Sequence, residues 1–347
     1  MSLLDHINDK TARLGVPFNV QLDLTYRCNE NCVHCYLDHG GGGEMDTSEV
    51  TGVLHQLADA GTLFLCLSGG ETLLRPDFLD IVRTARSLLF NVTLKMNGIL
   101  LTERDAECLA GLAVSQVHIS IYSHRPEVHD AITRVPGSFD SSLNAIRLLV
   151  RHGVRVRIAN VLMRENIADY RGVQALAAQL GVEARIDPTV TPALDGDPSP
   201  MSLRIAIPDL QRVFRDPAVV KDVEKFCAPP PADAQPGGDY PCGAGINGCY
   251  ISPSGDVMPC IAFPLVCGNL RRQRFGDIWR ESELLGQIRG TRIRDLPKCR
   301  ECVNVASCTR CPGLAYLSGD MLGLSLLDCE KAYARTGLLP LPLTGSG

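Results

Sequence analysis

Between residues 18 and 190, short apolar and β-branched runs alternate with longer stretches of helical periodicity. Phe18 to Leu24, Thr62 to Leu67, Asn91 to Met96, Gln116 to Ile121, Val154 to Asn160 and Glu183 to Val190 read as strands. Five helices are expected between them. One follows Asp46, where Glu49 three residues on completes a capping box, and the others lie near residues 76–88, 102–112, 138–152 and 169–180. Regular strand–helix alternation implies right-handed crossovers and a parallel sheet of the α/β class, and six strands make an incomplete barrel or an open sheet.

Within the strands the alternation has a second period. Asn19, Gln21, Asp23 and Thr25 share one side of the first strand, with Val20, Leu22 and Leu24 on the other. Polar residues recur later in the same way: Lys95 and Asn97; His118, Ser120 and Tyr122; Arg155 and Arg157; Arg185, Asp187 and Thr189. A closed eight-stranded barrel fills its interior with branched apolar side chains, so this polar side reads as the wall of a water-accessible or ligand-filled chamber. The other reading is a solvent-facing sheet surface, which sits awkwardly with a parallel sheet.

Composition narrows the classes. A net charge of -5 and a hydrophobic content of 45% favour neither a disordered chain nor a nucleic-acid binder. No apolar run reaches the roughly 20 residues of a membrane span, and the charged N-terminus lacks a signal-peptide core, so a cytoplasmic protein is expected. Fifteen cysteines then suit metals better than disulfides. They cluster at positions 28 to 35 and again between Cys242 and Cys329, with Cys66, Cys108, Cys227 and Cys267 read as scattered; Cys66 and Cys108 suit small core positions, and Cys227 has no assigned role. From Thr191 to Tyr240 the composition turns to Pro, Asp, Ala and Gly. The expected organisation is an N-terminal segment 1–16, an incomplete barrel 17–195, a linker 196–241 with one helix near 208–225, a cysteine-rich domain 242–335 and a flexible tail 336–347.

Cys28-x3-Cys32-x2-Cys35 follows the first strand. Three thiolates leave one corner of a four-ligand metal or cluster site open, and an open corner is where chemistry happens. This loop resembles the signature of the radical S-adenosylmethionine enzymes. Ser68-Gly69-Gly70-Glu71 after the second strand, Asn97-Gly98 after the third, and Ser120 with Arg134 later are similar to that family's cofactor-binding segments. The resemblance implies a partial (β/α)6 TIM-like barrel with a [4Fe-4S] cluster on Cys28, Cys32 and Cys35. S-adenosyl-L-methionine would be contacted by Gly69, Gly70, Glu71, Asn97, Ser120 and Arg134, with the Glu71 carboxylate facing the methionine amine.

The C-terminal cysteines, with Gly255-x4-Cys260 and Cys299-x2-Cys302-x5-Cys308-x2-Cys311, resemble the SPASM auxiliary-cluster extension found in peptide-modifying members. By that resemblance Cys242, Cys249, Cys260 and Cys311 hold one auxiliary [4Fe-4S] cluster and Cys299, Cys302, Cys308 and Cys329 a second. Two departures stand out: only Thr309 and Arg310 separate Cys308 from Cys311, where the family usually has three residues, and Cys267 lies close enough to compete with Cys249. Two zinc ribbons are the plainer reading of these cysteines.

The resemblance implies reductive cleavage of S-adenosylmethionine to a 5'-deoxyadenosyl radical, which abstracts a substrate hydrogen. A side chain of a ribosomally made peptide or protein is the expected target. A separate peptide-recognition protein and a flavodoxin or ferredoxin-type electron donor are the expected partners. Asp187, Asp23 and Tyr122 are candidates for proton transfer. Lys95, Arg155, Arg157 and Arg185 suit a carboxylate-rich substrate instead, giving tetrapyrrole side-chain decarboxylation as the second reading, unless these bases pair with Asp23, Glu183 and Asp187. A non-catalytic iron-sulfur electron carrier or a zinc-binding interaction protein is the alternative of another class.

Overall fold

Burying Val20, Leu22 and Leu24 while leaving Gln21 and Asp23 on the opposite side gives the first strand two unlike faces. In the computed structural model, which describes residues 3–37, 43–231 and 240–340, that difference organises the whole sheet. Strands β1 (Asn19–Thr25), β2 (Phe64–Gly69), β3 (Asn91–Met96), β4 (Gln116–Ser120), β5 (Val156–Val161) and β6 (Glu183–Asp187) pair in parallel and in sequence order.

Helix α1 (Leu3–Leu14) precedes β1. The crossovers are α2 (Thr47–Asp59), α3 (Phe78–Ser87), α4 (Glu103–Gly111), α5 (Pro126–Thr133) with α6 (Ser138–Arg151), and α7 (Tyr170–Gln179). Apolar residues of α2, α3, α4, α6 and α7 join Leu22, Leu67, Leu94, Ile119 and Ile158 in one core cluster, so the helices cover the apolar face and leave the polar face inward. The expected capping box forms: Glu49 N donates to Asp46 Oδ1 and Asp46 N to Glu49 Oε2, each at 2.8 Å, a pairing worth about 1 kcal/mol. Thus the fold is α/β, and of the incomplete barrel and the open sheet that the alternation allowed, the six parallel strands form the partial barrel that the resemblance implied.

Several elements depart from expectation. Strand β6 stops at Asp187 because Pro188 follows and offers no N–H to the ladder. The single helix expected near 208–225 is two, α8 (Ile207–Phe214) and α9 (Val223–Cys227), with Pro217 between them. Residues 232–239 of the linker and 341–347 of the tail lie outside the described residues.

The cysteine-rich segment extends the sheet. Strand β7 (Gly248–Ile251) pairs parallel with the free side of β1, and β8 (Asp256–Met258) and β9 (Gly268–Asn269) follow antiparallel, giving a nine-stranded sheet. Helices α10 (Phe275–Glu281), α11 (Glu283–Gly290), α12 (Pro312–Leu317) and α13 (Leu326–Thr336) complete the chain. The Trp279 indole N–H of α10 donates to Gly15 O at 2.6 Å, joining the two ends of the fold.

Candidate cluster and cofactor site

The loop carrying Cys28, Cys32 and Cys35 leaves β1 and is pinned onto the end of α5, where Asn31 N donates to Thr133 O at 3.1 Å and Val33 N to Ile132 O at 3.0 Å. Asn97, just past β3, ties it from the other side: its Nδ2 donates to Asn29 Oδ1 at 2.7 Å and lies 3.9 Å from Cys28 Sγ. Between these restraints is a cavity of about 160 Å³. The three cysteines form one wall, and Gly69, Gly70, Asn97 and Ser120 line it from the carboxyl ends of β2, β3 and β4. Ligands of parallel α/β sheets gather at this end of the strands.

The two glycines are required by the chain itself. A Cβ on Gly69 would stand 2.2 Å from Thr25 O, and one on Gly70 2.2 Å from Arg27 O. Only glycines let the end of β2 run against the segment leading into the cysteine loop, where Gly70 N donates to Thr25 O at 2.8 Å and Glu71 N to Arg27 O at 2.9 Å.

Glu71 is engaged with the protein's own backbone. Its carboxylate is fully buried and accepts from Leu73 N at 3.0 Å, Asn97 N at 2.8 Å and Gly98 N at 3.4 Å. A side chain so engaged straps the end of β2 to the end of β3 and is not among the residues lining the cavity. Arg134 is also elsewhere: it is exposed, with the left-handed φ of 59° that ends α5, and it does not line the cavity.

The three proton-transfer candidates are not brought together. Tyr122 lines the cavity, stacked on His129 with ring centroids 5.5 Å apart. Asp23 is fully buried away from it, accepting from Gln21 Nε2 and from the Tyr250 hydroxyl, each at 3.0 Å. Burial pushes Asp23 up to about 6, against the lowering effect of these two bonds and of Lys95. Asp187, half-buried as the last residue of β6, accepts from Thr189 N at 2.9 Å and does not line the cavity.

Sequence reasoning missed Glu30. This buried carboxylate lines the cavity and accepts from Cys32 Sγ at 3.2 Å, and burial holds it at about 7, with Glu71 and Asp130 adding to the effect. Its only sequence signal is its place between two cysteines. His34 packs edge-on against Tyr122 at 4.7 Å, its Nδ1 is buried without a partner, and burial lowers it to about 4.

All the cysteines are free thiols. Burial raises Cys28 to about 11 and lifts Cys32 and Cys35 as well, so a metal taking these thiols must displace their protons. Among the described residues no three His, Cys, Asp or Glu side chains converge tightly enough for a single ion. The thiols stand around cavities, and an all-thiol donor set with a neighbouring unsatisfied histidine nitrogen fits an iron-sulfur group with room for a further ligand.

The same holds further along the chain. Cys299, Cys302, Cys308 and Cys329 line one small cavity of about 40 Å³. Cys242, Cys249 and Cys260 line a larger one of about 480 Å³ under β1 to β3. Cys311 is not in that lining, but its charge acts on Cys242, and the charge of Cys260 acts on it. Cys267 is the strongest charge neighbour of Cys249. Cys66, expected in the core, instead lines the larger cavity. Cys108 is half-buried, and Cys227 Sγ donates to Phe214 O at 3.4 Å.

Of the bases on the polar face, Arg157 pairs with Glu183 at 2.7 Å and Arg155 with the same carboxylate at 3.9 Å. Lys95 Nζ donates to Gln21 Oε1 at 3.1 Å and lines the cavity. His118 is lowered to about 4 by burial and then by Arg157, Lys95 and Arg185, which marks where these charges converge. No helix among the described residues is long and apolar enough to cross a membrane.

Comparison with known proteins meets the same two regions. A family model of the radical SAM superfamily matches residues 22–177, and one of an iron-sulfur cluster-binding domain, SPASM, matches residues 242–303. The chain is 30% identical to the mycofactocin maturase MftC of Mycobacterium tuberculosis over 349 residues, covering 95% of this chain and 88% of that protein. It is 29% identical to the AdoMet-dependent heme synthase of Methanosarcina barkeri over 339 residues, covering 90% of this chain and 96% of the relative. Streptococcus suis SuiB, solved with its precursor peptide SuiA, shares the fold with a TM-score of 0.74 at 17% identity, over 92% of this chain and 78% of that one. Because the first match spans the strands that wall the cavity and the second begins at the first auxiliary cysteine, the chain belongs to the radical S-adenosylmethionine superfamily and carries a SPASM iron-sulfur cluster-binding domain.

Proposed function

We propose that this enzyme oxidises or cross-links a side chain of a ribosomally made peptide or protein. The observation that carries the reading is that Cys28, Cys32 and Cys35 line one cavity together with Gly69, Gly70, Asn97 and Ser120. The similarity to a mycofactocin maturase over 95% of the chain, and of the fold to SuiB solved with its precursor peptide, supports this substrate class.

In this reading the cysteine loop holds a [4Fe-4S] cluster, and cluster and S-adenosylmethionine together supply the radical that takes hydrogen from the substrate. The protein's own part is positional. Backbone groups of Gly69 and Gly70 and the side chains of Asn97 and Ser120 hold the cofactor, while Glu71 keeps the ends of β2 and β3 in place behind them. Tyr122 and His34, packed edge to face, close the cavity beside the cluster loop. Arg134, exposed at the end of α5, is a further proposed contact to the cofactor. Two further [4Fe-4S] clusters would be held by the auxiliary cysteines, Cys242, Cys249, Cys260 and Cys311 for the first and Cys299, Cys302, Cys308 and Cys329 for the second, and would supply one-electron chemistry for the oxidation of the substrate. A flavodoxin or ferredoxin-type protein donates the starting electron in a reducing cytoplasm, and a separate recognition protein presents the peptide.

Anaerobic reconstitution tests this directly. About twelve irons per chain fit three four-iron clusters, whereas zinc without sulfide refutes the reading. Replacing Cys28, Cys32 and Cys35 with alanine should abolish 5'-deoxyadenosine formation and leave the auxiliary iron.

A second reading has its own support. The convergence of Lys95, Arg157 and Arg185 on His118, with Glu183 taking only part of that charge, suits a substrate rich in carboxylates, and a heme synthase is similar over 90% of the chain. Mass spectrometry decides between the two. A precursor peptide that loses hydrogen supports the first, and a tetrapyrrole that loses carbon dioxide supports the second.

A further inference from the structure

Arg310 is 6% exposed. Its guanidinium hydrogen-bonds with the Cys299 side chain and also donates to two backbone carbonyls, Nε and Nη2 to Gly323 O at 3.3 and 2.7 Å and Nη2 to Met321 O at 2.5 Å. Its Nη1 is buried with no partner. A guanidinium cannot shed its proton, and a buried charge left uncompensated is costly enough that an anionic group is expected beside it.

The surroundings identify that group. Arg310 lines the small cavity together with Cys299, Cys302, Cys308 and Cys329, and it also lines the neighbouring pocket that contains Cys242. Its charge is felt at both Cys299 and Cys242. In sequence it stands between Cys308 and Cys311, one cysteine from each proposed set.

We propose that Arg310 is the counter-charge between the two auxiliary clusters, with Nη1 donating to a sulfur of the cluster held by Cys299, Cys302, Cys308 and Cys329 and raising its reduction potential above that of its neighbour. The assignment rests on the auxiliary-cluster reading above. One-electron reduction adds one negative charge to a cluster, and a fixed cation with a hydrogen bond to its sulfur favours that reduced state. Of the two clusters, this one is then the preferred resting place for an electron lost by the substrate.

Potentiometric titration of the reconstituted enzyme, followed by electron paramagnetic resonance, reads the effect, with Cys302→Ala identifying the signal of the cluster concerned. Arg310→Gln should lower its midpoint so that the reduced-to-oxidised ratio at fixed potential falls tenfold or more, about 59 mV for a one-electron couple. The Cys242 cluster should move less and the loop cluster not at all. Full iron with unmoved midpoints overturns the proposal. Because Arg310 also holds two carbonyls, the variant can fail to load. Wild-type enzyme labelled with 15N-arginine then decides: a nitrogen coupled magnetically to this cluster supports the assignment, and its absence refutes it. Iron analysis separates the two failures, since wild-type protein lacking a cluster at these four cysteines removes the auxiliary-cluster reading itself.

Discussion

The Tyr250 hydroxyl donates to Asp23 Oδ2 at 3.0 Å, joining the strand that opens the C-terminal segment to the strand that opens the barrel. The same hydroxyl lies 2.7 Å from that of Tyr26, two residues before the cysteine loop. These contacts connect β1, the start of the cysteine loop and β7, and the one to Asp23 involves a carboxyl that burial raises to about 6.

Tyr250→Phe leaves Asp23 with one donor where it had two. Losing a hydrogen bond to a charged group costs ~2 kcal/mol and to a neutral one ~1 kcal/mol. The destabilisation should therefore grow as pH rises through about 6. Denaturant unfolding of the variant and wild type at pH 5 and pH 8 measures it; an equal loss at both would show that the bond is indifferent to the ionisation of Asp23.

Asp23→Asn tests the cost of the charge itself. Folding raises this carboxyl from 3.8 to about 6, so the folded state binds the extra proton. The group's contribution is most favourable below about 4 and declines as pH rises from about 4 to about 6, remaining constant above. A shift of roughly two units corresponds to ~3 kcal/mol at most. The difference in stability between wild type and Asp23→Asn should follow that curve, and a difference independent of pH would contradict it.

Much of this arrangement was legible in the chain because it depends on local alternation. The two faces of β1 follow from Val20, Leu22 and Leu24 alternating with Gln21 and Asp23, and cysteine spacing marked all three metal-binding candidates. What was not legible depends on distant partners. Gly248–Ile251 is too short and cysteine-bearing to announce a strand, yet it finds the open side of β1. Gly69 and Gly70 read as a ligand-approach motif, and they line the cavity, but that they must also pass against the backbone of Thr25 and Arg27 was not legible. Arg310 looked like a spacing irregularity, and only its burial beside two sets of cysteines gives it a role. Helices α1 and α5 were missed, the second a short helix that starts at Pro126.

Glu71 separates a strap from a ligand contact. Glu71→Ala leaves the buried N–H groups of Asn97 and Gly98 and the half-buried one of Leu73 without their acceptor. Each unsatisfied buried group costs ~1–3 kcal/mol, so a loss of ~3 kcal/mol or more is expected. That loss should be present without S-adenosylmethionine, in thermal unfolding of the cofactor-free protein. A variant as stable as wild type that binds the cofactor weakly would instead make Glu71 a direct contact.

Gly70 gives the most demanding test of how the cavity is built. A methyl group there would meet Arg27 O at 2.2 Å, Arg27 C at 2.7 Å and Tyr26 O at 2.9 Å, all of them backbone atoms that cannot swing aside. Arg27 is followed directly by Cys28, so whatever shift relieves the clash moves the first ligand of the loop. Gly70→Ala should therefore lose the loop cluster, about four of about twelve irons, together with 5'-deoxyadenosine formation, while the auxiliary clusters some distance along the chain still assemble. Gly111 is the control. It closes α4 with nothing within 4 Å of an added Cβ, and alanine there should be neutral or stabilise by ~0.5–1 kcal/mol. Iron and sulfide counts on the two variants check the contrast. If Gly70→Ala kept its full iron and its cleavage activity, the close passage of β2 beneath the cysteine loop would not be what sets the position of Cys28.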